Sequence, residues 1–363
     1  MEARLRIALL APLVTPLLPE QYGGSQAVAS DLGAELQSRG HEVVVFASRG
    51  SRIDGVELFE LNVDSANLQD ALHRGDGHSH VTDVLTRSFR LAYETIGDGF
   101  DVVHNHGFDP PAITEALVLD SPVVHTLHLP PTQEMTGAIA LTRESRSKFV
   151  CVSQSQAALW GEEIVDRVIL NGVPIHRIPW EGNPDPYVMF AGRLSREKGA
   201  HIAIDIAKDA GIPIVVAGPT YDKEYEKEEI RSRTESEGVR MLGHLSRTTV
   251  WRFMSRAQAV IVPSLWDEPF GLVAAEANAA GAPVLATKRG GLAEILEEGV
   301  TGFYMDHSDT RSAARALHRS TKLDRKEIRR RAEEKFSLAR MASSYEEVYE
   351  EAKHRPKVRF NGH

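Results

Sequence analysis

Residues 259–276 read AVIVPSLWDEPFGLVAAE, and this stretch decides the fold. The apolar run Ala259–Val262 is short, which predicts a buried strand that ends at Pro263-Ser264. The run Leu272–Ala280, which follows the loop, predicts a helix. A strand, a loop and a helix in this order form the repeating unit of a parallel sheet with crossover helices.

The same alternation extends over most of the chain. The predicted strands are Arg6–Ala11, Glu42–Ala47, Asp101–His104, Val123–Leu127, Lys148–Val152, Tyr187–Ala191, Pro213–Ala217, Val239–Leu242, Ala259–Val262 and Pro283–Ala286. The predicted helices are Ser25–Arg39, Asp83–Ile96, Pro110–Leu119, Ala200–Ala210, Asp222–Glu235, Arg247–Arg256 and Leu272–Ala280, and the tail from Thr310 to Lys353 is also predicted to be helical. The pattern therefore indicates an α/β protein with two doubly wound, Rossmann-like parallel sheets.

The alternation pauses over residues 172–186, GVPIHRIPWEGNPDP, which contain four prolines and have no clear period. We place the domain boundary there, with one domain over residues 1–172 and the other over residues 173–337. The helix over about residues 338–354 is expected to pack back on the N-terminal domain. Ligands bind at the carboxyl ends of parallel strands, so we expect a site built by both domains across a central cleft.

Charge and composition exclude several classes of function. Residues 1–150 carry 11 Lys and Arg against 20 Asp and Glu, a net charge of −9, whereas residues 151–363 carry 31 of each. This acidity disfavours binding to nucleic acid or to anionic membranes, although an acidic surface can also serve solubility alone. A single cysteine, no apolar run of about 18 residues and no cleavage-site pattern at the N-terminus together predict a cytoplasmic protein.

The loop within Trp266–Glu276 carries two carboxylates beside a predicted helix N-terminus. Glu268 lies in the loop, and Glu276 lies inside the helix. Carboxylates accept hydrogen bonds from sugar or ribose hydroxyls, and a free helix N-terminus favours an anion such as a pyrophosphate. The outward-facing amides at this helix start belong to Phe270, Gly271 and Leu272. Two solvated helix charges are the alternative interpretation of the glutamates.

The string Ala191–Gly199, AGRLSREKG, also follows a predicted strand and enters a helix. Arg193 and Lys198 place two cations on this one loop. Such a pair suits a diphosphate, because Arg offers a planar fork of donors and Lys a point charge. A solvated pair of cations at the start of a helix is the alternative.

These strings, in this order, resemble the family 4 retaining glycosyltransferases of the GT-B fold. Further matching strings are Gly23-Gly24-Ser25, His125-Thr126-Leu127-His128, Val152-Ser153, Asn171-Gly172-Val173, Ala217-Gly218-Pro219, Leu242-Gly243-His244 and Gly290-Gly291-Leu292-Ala293-Glu294-Ile295. The resemblance covers the chain from Arg6 to about Tyr349 and is stronger in the C-terminal half.

The resemblance implies a role for each matching residue. Arg193 and Lys198 would hold the donor diphosphate and stabilise it as the leaving group. Glu268 would contact the transferred sugar, Glu276 would bind the ribose hydroxyls, and Gly24 would let backbone approach the phosphates. The other donor-binding residues that the resemblance implies are Gly23, Gly192, Gly243, His244, Phe270, Gly271 and Leu272, with Gly243 and His244 near the base. Glu294 is expected to be structural.

His128 aligns with the active-site histidine of the family, at the end of a strand. The resemblance implies that it hydrogen-bonds the sugar or places the acceptor, and a satisfied structural histidine is the alternative. By strand alternation, His125 faces the opposite way. The sequence departs from the family at Leu129, where an Asp often stands, and at Pro174, where an Asp often follows Asn-Gly-Val. The first departure argues against a carboxylate that activates the acceptor at this position.

No metal and no cofactor is expected. The chain has no Asp-x-Asp string, a common metal-diphosphate device, and Arg193 and Lys198 can serve the leaving group instead. No Gly-x-Gly-x-x-Gly follows a strand, which counts against a dinucleotide oxidoreductase, and the sequence contains no P-loop. The weaker signals are assigned to structure: His104-Asn105-His106 resembles a nuclease string but ends a buried strand, His73, His78 and His80 are expected to be solvated, and Cys151 is expected to be buried and inert.

The function expected is therefore metal-independent glycosyl transfer with retention. The donor would be a nucleoside diphosphate sugar, with UDP-glucose as the specific expectation, and the acceptor a soluble small molecule or saccharide. The alternatives are a lipid-linked glycan acceptor at the membrane surface, a nucleotide-sugar epimerase on the same fold, and a non-catalytic sugar- or nucleotide-binding protein. Neither nucleic acid nor stable membrane association is expected.

Overall fold

The computed structural model describes residues 4–18, 23–65, 78–142, 145–235 and 237–354. The chain divides into two compact units. The N-terminal unit comprises the chain to Gly172 together with the segment from Leu338 onward, and the C-terminal unit comprises Val173–Ser337. Each unit is built on a parallel sheet, as the alternation of apolar runs predicts. Of the helices in the described ranges, none combines the length and the apolar character that crossing a bilayer requires.

The N-terminal sheet has seven parallel strands in the order β3-β2-β1-β4-β5-β6-β7. These strands are β1 (Arg6–Leu10), β2 (Glu42–Ala47), β3 (Glu57–Glu60), β4 (Val102–Asn105), β5 (Val123–Leu127), β6 (Lys148–Cys151) and β7 (Arg167–Val168). The helices between them are α1 (Gly24–Ser38), α2 (His78–Ile96), α3 (Pro110–Thr114), α4 (Gln133–Ala140) and α5 (Gln154–Trp160).

The C-terminal sheet has six parallel strands in the order β10-β9-β8-β11-β12-β13. These strands are β8 (Val188–Ala191), β9 (Ile214–Ala217), β10 (Val239–Gly243), β11 (Val260–Val262), β12 (Val284–Thr287) and β13 (Gly302–Met305). The helices are α6 (Ala200–Ala210), α7 (Lys223–Tyr225), α8 (Arg231–Thr234), α9 (Arg247–Arg256), α10 (Leu272–Ala279), α11 (Leu292–Ile295), α12 (Thr310–Ser320) and α13 (Arg325–Phe336).

The central strands are apolar at consecutive positions because helices cover both faces of the sheet. In β1, Ala8 and Leu10 pack in one cluster with Phe89 of α2. Ile7 and Leu9, which alternate with them and point to the opposite face, are also fully buried. This double burial explains why short continuous apolar runs, and not an alternating pattern, mark the strands.

After the C-terminal unit, the chain returns to the N-terminal unit as α14 (Leu338–His354), which packs against α1, β4 and β5. Its Glu346 is buried and accepts hydrogen bonds through both carboxylate oxygens. Arg39 Nη2 lies 2.6 Å from Oε2, and His41 Nε2 lies 2.8 Å from Oε1. These contacts attach the last helix firmly to the first domain of the chain.

The proline-rich segment at the domain boundary is held against the C-terminal unit by arginines of α13. Arg329 Nη2 donates to the carbonyl of Ile175 at 2.8 Å, and Arg325 Nε donates to the carbonyl of Glu181 at 2.8 Å. Backbone carbonyls in an irregular segment need such donors, because no regular ladder serves them. The change of unit occurs between Gly172 and Val173, at the start of this segment.

The structure differs from the sequence-based prediction at sheet edges and in two helices. The strands β3, β7 and β13 have no predicted counterpart; β3 and β7 are short, charged edge strands that lack an apolar run. The predicted helix Pro110–Leu119 continues after α3 as a 3₁₀ turn at Glu115–Val118, and the predicted helix Asp222–Glu235 contains a π turn at Glu226–Ile230. Such turns arise from shifted backbone hydrogen bonds, which the apolar pattern does not encode.

Candidate functional site

In the C-terminal unit, the predicted donor residues lie on loops at the carboxyl ends of neighbouring strands. The loop after β8 carries Arg193 and forms a 3₁₀ turn, Arg196–Lys198, before α6 begins. The loop after β11 carries Glu268 and leads into α10. Because β8 and β11 are adjacent in the sheet, these two loops come together. Leu265 N–H donates to the carbonyl of Glu197 at 2.7 Å, which ties one loop to the other.

Lys198 and Glu268 form an ion pair between these loops. Lys198 Nζ lies 2.5 Å from Glu268 Oε1, and the two side chains are 21% and 12% exposed. Ser264 Oγ donates to the same Oε1 at 3.0 Å, and the Lys198 ammonium lies 5.0 Å from the ring centroid of Trp266. The structure thus brings two predicted site residues into direct contact in a part-buried position.

Arg193 is paired within its own loop. Its Nη2 lies 3.6 Å from Glu197 Oε1, and its guanidinium stacks over the ring of Tyr221 at 4.6 Å from the centroid. The side chain is 42% exposed, so it is the more accessible of the two predicted phosphate-binding cations. Tyr221 is itself an exposed aromatic residue whose contact with Arg193 has no signal in the sequence.

Glu276 is buried on α10 and pairs with Arg247, the first residue of α9. Arg247 Nε donates to Glu276 Oε1 at 2.7 Å, and the guanidinium lies 4.8 Å from the ring centroid of Trp251. A buried carboxylate needs a partner, because an isolated charge is strongly disfavoured away from water. Sequence reasoning missed Arg247, although a charged residue inside the apolar helix α10 was a signal that some cation had to lie nearby.

The start of α10 is shaped by glycines. Gly271, the N-cap, has φ +105° and provides no side-chain cap, and the first amide of α10 that bonds within the helix is that of Ala274, which donates to the carbonyl of Gly271 at 3.0 Å. The side chain of Phe270 is buried and meets Phe336 edge-on with ring centroids 5.9 Å apart. The loop therefore offers a ligand the backbone of Phe270, Gly271 and Leu272, whereas the Phe270 ring belongs to the core.

The pair Gly290-Gly291 fixes the backbone of the Glu268 loop. Gly291 N–H donates to the carbonyl of Glu268 at 2.6 Å. Gly290 has φ +51°, and a Cβ added there would lie 2.4 Å from the same carbonyl oxygen. No residue larger than glycine fits at position 290 without moving Glu268.

The remaining predicted donor residues of this unit lie in a row along the carboxyl edge of β8, β9 and β10. Gly192 N–H donates to the carbonyl of Ala217 at 2.9 Å, and Gly218 N–H donates to the carbonyl of Gly243 at 2.8 Å. A cavity of about 480 Å³ opens beside them. Residues that line it include Gly218, Thr220, Glu226, Arg231, Gly243 and His244.

In the N-terminal unit, Gly23 and Gly24 lie at the start of α1, as the resemblance places them. Gly23 is the N-cap and provides no side-chain hydrogen bond to the helix. Ser25 Oγ donates to Gln26 Oε1 at 3.0 Å, and Gln26 Nε2 donates to Thr15 Oγ1. The amides at the start of this 15-residue helix thus lie beside a short polar network.

His128 follows β5 and hydrogen-bonds to His106, which follows β4. His106 Nδ1 and His128 Nε2 lie 2.9 Å apart, and the two rings stack with centroids 5.2 Å apart. Burial lowers the pKa of His128 to about 4, so the imidazole is uncharged at neutral pH. His125 instead bonds to Asn105 at 3.0 Å and stacks on Phe149. His106, which belongs to the string that the sequence analysis assigned to structure, therefore contacts the predicted site residue His128 directly.

No group of three or more His, Cys, Asp or Glu side chains is arranged to hold a metal ion within the described ranges. His73 lies outside those ranges, as do the side chains of His78 and His80. Cys151, the last residue of β6, is fully buried, and burial raises the pKa of its thiol to about 12. The prediction that Cys151 is buried is therefore confirmed.

Comparison with known proteins identifies the family. The family model described as glycosyl transferases group 1 matches residues 175–335, and the one described as glycosyltransferase family 4 matches residues 22–177. The chain is 27% identical to a glycogen synthase of Mycobacterium tuberculosis over 342 residues, which cover 82% of each chain. It is 29% identical to a phosphatidyl-myo-inositol mannosyltransferase of Propionibacterium freudenreichii over 335 residues, which cover 85% of each chain.

A solved structure gives the same fold. The Anabaena protein HepE, in complex with UDP and glucose, superposes with a TM-score of 0.71 at 19% identity, over 96% of this chain and 100% of that one. The two parallel-sheet units and the two family matches, one on each half of the chain, agree with each other. The chain is therefore a glycosyltransferase of the GT-B fold and belongs to the group 1 glycosyltransferases of family 4.

Proposed function

We propose that this glycosyltransferase transfers glucose from UDP-glucose to a soluble small-molecule or saccharide acceptor, with retention at the anomeric carbon and without a metal ion. The observation that carries the proposal is the Lys198–Glu268 pair, held on the loops after β8 and β11 and close in sequence to the start of α10. A cation, a carboxylate and a free helix start on adjoining loops match the parts of a sugar nucleotide: diphosphate, sugar hydroxyls and leaving-group charge.

The leaving group explains the need for the two cations. Cleavage of the bond between the anomeric carbon and the diphosphate oxygen places negative charge on that oxygen. Lys198 and Arg193 would stabilise this charge, together with the amides at the start of α10. In the structure each cation is paired with a glutamate, Glu268 or Glu197, so donor phosphates would replace carboxylates as partners. Two protein cations can serve the role that a metal ion has in other transferases, which supports metal independence.

Retention follows if the acceptor attacks the face from which the diphosphate departs. The acceptor oxygen then forms the new bond to the anomeric carbon while the old bond breaks, and the hydroxyl proton passes to the departing phosphate oxygen. No covalent intermediate is needed on this path. Glu268, whose Oε1 is already bound by Lys198 and Ser264, would accept hydrogen bonds from the sugar and would not act as a nucleophile.

The choice of donor and acceptor rests on the relatives and on charge. UDP and glucose are bound in the HepE structure, which supports UDP-glucose as the donor. A relative named glycogen synthase supports a saccharide acceptor, and the net charge of −9 over residues 1–150 disfavours an anionic membrane. A reducing, cytoplasmic compartment fits a chain with a single, buried cysteine.

A lipid acceptor is the second candidate, because one relative is named a phosphatidyl-myo-inositol mannosyltransferase. The two candidates differ in a simple test. Flotation with vesicles that contain phosphatidylinositol should leave the protein in the unbound fraction if the acceptor is soluble. Tight flotation would favour the lipid acceptor.

The test of the proposal is turnover of defined donors in the presence of EDTA. Purified protein is incubated with UDP-glucose, GDP-mannose or ADP-glucose and a panel of saccharides, and nucleotide release is measured. We expect release with UDP-glucose that EDTA does not reduce, and proton NMR should show an α-linked product. Release that requires Mg²⁺, or a β-linked product, would contradict the proposed mechanism, and preference for another nucleotide would contradict the proposed donor.

A further inference from the structure

Four imidazoles lie at or beside the carboxyl ends of β4 and β5; those of His104, His106 and His125 are fully buried, and that of His128 is half-buried. His104 uses both ring nitrogens, which bond to Tyr349 and Thr126 at 2.7 Å each. His125 Nδ1 accepts from the amide of Asn105 at 3.0 Å. His106 and His128 bond to each other. In the hydrogen bond between them, His106 Nδ1 lies 2.9 Å from His128 Nε2.

All four imidazoles are uncharged at neutral pH, and each therefore carries one N–H. Burial lowers the pKa of His104 and His106 well below the usual value, that of His125 to about 3, and that of His128 to about 4. A neutral imidazole donates from one nitrogen and accepts at the other, so the hydrogen bond at one nitrogen fixes the state of both. The position of the proton on His106 then decides the position of the proton on His128.

The surroundings of His106 favour the proton on Nδ1. Its Nε2 is buried and finds no hydrogen-bond partner among the described residues. A proton on Nε2 would be a buried N–H without an acceptor, as the Nε2–H of His125 already is, and a second such group in the same cluster would cost further stability. A proton on Nδ1 is donated to His128 Nε2 and leaves at Nε2 only an unpaired acceptor. His128 Nε2 must then be the acceptor, and the single proton of His128 must lie on Nδ1.

We propose that His106 is a positioning residue that holds His128 in the Nδ1–H tautomer, so that His128 offers an N–H donor to a sugar or acceptor oxygen. The inference rests on the proposed function in one respect, namely that His128 contacts a bound saccharide. It assigns that contact a direction: His128 donates a hydrogen bond from Nδ1 and does not remove a proton there.

The residues behind His106 hold its ring in place. The ring of His104 lies 4.2 Å from the ring of His106, centroid to centroid. His104 is itself held by Tyr349 of α14 and by Thr126, and Thr126 Oγ1 lies 2.8 Å from the hydroxyl of Tyr345, also of α14. The last helix of the chain thus supports the orientation of the His106–His128 pair from the core side.

The direct test is the tautomer of His128 in the full-length protein without ligands. Long-range ¹H–¹⁵N correlation spectra of ¹⁵N-histidine-labelled protein at pH 7 separate protonated from unprotonated ring nitrogens, and His128→Gln identifies the His128 signals by their loss. We expect a protonated Nδ1 and an unprotonated Nε2. The reverse pattern would overturn the inference. Because this readout needs no turnover, it is independent of whether the proposed donor is correct.

The functional test compares two buried histidines. His106→Leu should lower kcat by about tenfold, the effect of one hydrogen bond, and leave the donor KM within about twofold. His106→Asn should recover most of the rate, because the Asn amide can donate from the place of Nδ1. His125→Leu removes an imidazole that is equally buried but does not bond to His128, and it should leave kcat within about twofold. Equal losses in folded His106→Leu and His125→Leu, or no recovery in His106→Asn, would contradict the positioning role.

Discussion

Lys198 Nζ lies 2.5 Å from Glu268 Oε1, so the proposed phosphate-binding cation and the proposed sugar-binding carboxylate form an ion pair. The pair joins the loop after β8 to the loop after β11. Arrival of a diphosphate would give Lys198 a second anion and allow Glu268 to turn to the sugar hydroxyls. Exchange of one charged partner for another keeps both groups paired and avoids an isolated charge in a part-buried site.

Removal of the Lys198 ammonium should slow the transfer step. Lys198→Ala is expected to lower kcat by about 100-fold or more, because it removes a group that stabilises charge in the transition state. Arg196→Ala is the matched control: Arg196 lies in the same turn but pairs with Glu228 and Glu229 on the surface. The comparison is made by initial rates at saturating UDP-glucose. Similar rates for both variants would remove Lys198 from the mechanism.

The pair formed by Arg247 and Glu276 should affect donor binding and stability together. Arg247→Met leaves Glu276 buried without its cation, which costs about 3–5 kcal/mol of unfolding free energy, and it should also raise the donor KM. Arg256→Met, in the same helix, removes an exposed pair with Asp185 and should cost at most about 1 kcal/mol. Urea unfolding of the two variants checks the difference. An Arg247→Met protein as stable as Arg256→Met would mean that the buried pair contributes little.

Position 290 should require glycine because a side chain there would collide with the Glu268 loop, and not only because its φ is positive. Gly290→Ala and Gly299→Ala both place a side chain at positive φ, +51° and +80°, at a cost of about 1–2 kcal/mol. A Cβ at position 299 meets nothing within 4 Å, whereas one at position 290 would lie 2.4 Å from the Glu268 carbonyl oxygen. Gly290→Ala should therefore raise the donor KM, and Gly299→Ala should not. Steady-state kinetics on the two soluble variants decide the point.

The attachment of α14 through Glu346 should weaken in acid. Burial raises the pKa of this carboxyl, but hydrogen bonds from Arg39 and His41 outweigh burial and hold the pKa below its usual value. A lowered folded-state pKa means that the contribution to stability is complete above the unfolded-state pKa of about 4.3 and is lost as the pH falls through the folded-state value. The difference in unfolding free energy between wild type and Glu346→Gln should be largest near pH 7 and shrink below about pH 4. A difference that does not change with pH would contradict this assignment.

The sequence predicted the strands that lie inside the sheets because helices on both faces leave a continuous apolar run, as in Val123–Leu127, which the structure gives with the same bounds. It predicted the loops of Arg193 and Glu268 because a short charged string between a strand and a helix is visible in the order of residues. The edge strands Glu57–Glu60 and Arg167–Val168 were missed, since their pairing is set by a neighbour and not by their own apolar character.

The partners of the site residues could not be predicted for a related reason. Arg247 lies 29 positions before Glu276, and His106 lies 22 positions before His128. His106 and His128 meet because the adjacent parallel strands β4 and β5 bring their carboxyl ends to one edge, whereas Arg247 and Glu276 meet because α9 packs against α10. The sequence predicts which residues follow each strand. It does not predict which of these residues contact each other.

The central claim, a nucleotide-sugar site that Lys198 helps to form, is tested most directly by thermal unfolding with UDP, GDP and ADP in EDTA. A nucleotide at about 100 times its Kd stabilises the native state by about 2.7 kcal/mol, which is readily measured as a rise in Tm. We predict a rise in Tm with UDP in the wild type, unchanged by Mg²⁺, and a much smaller rise in Lys198→Ala at the same UDP concentration. No rise with any nucleotide, or an equal rise in Lys198→Ala, would contradict the account.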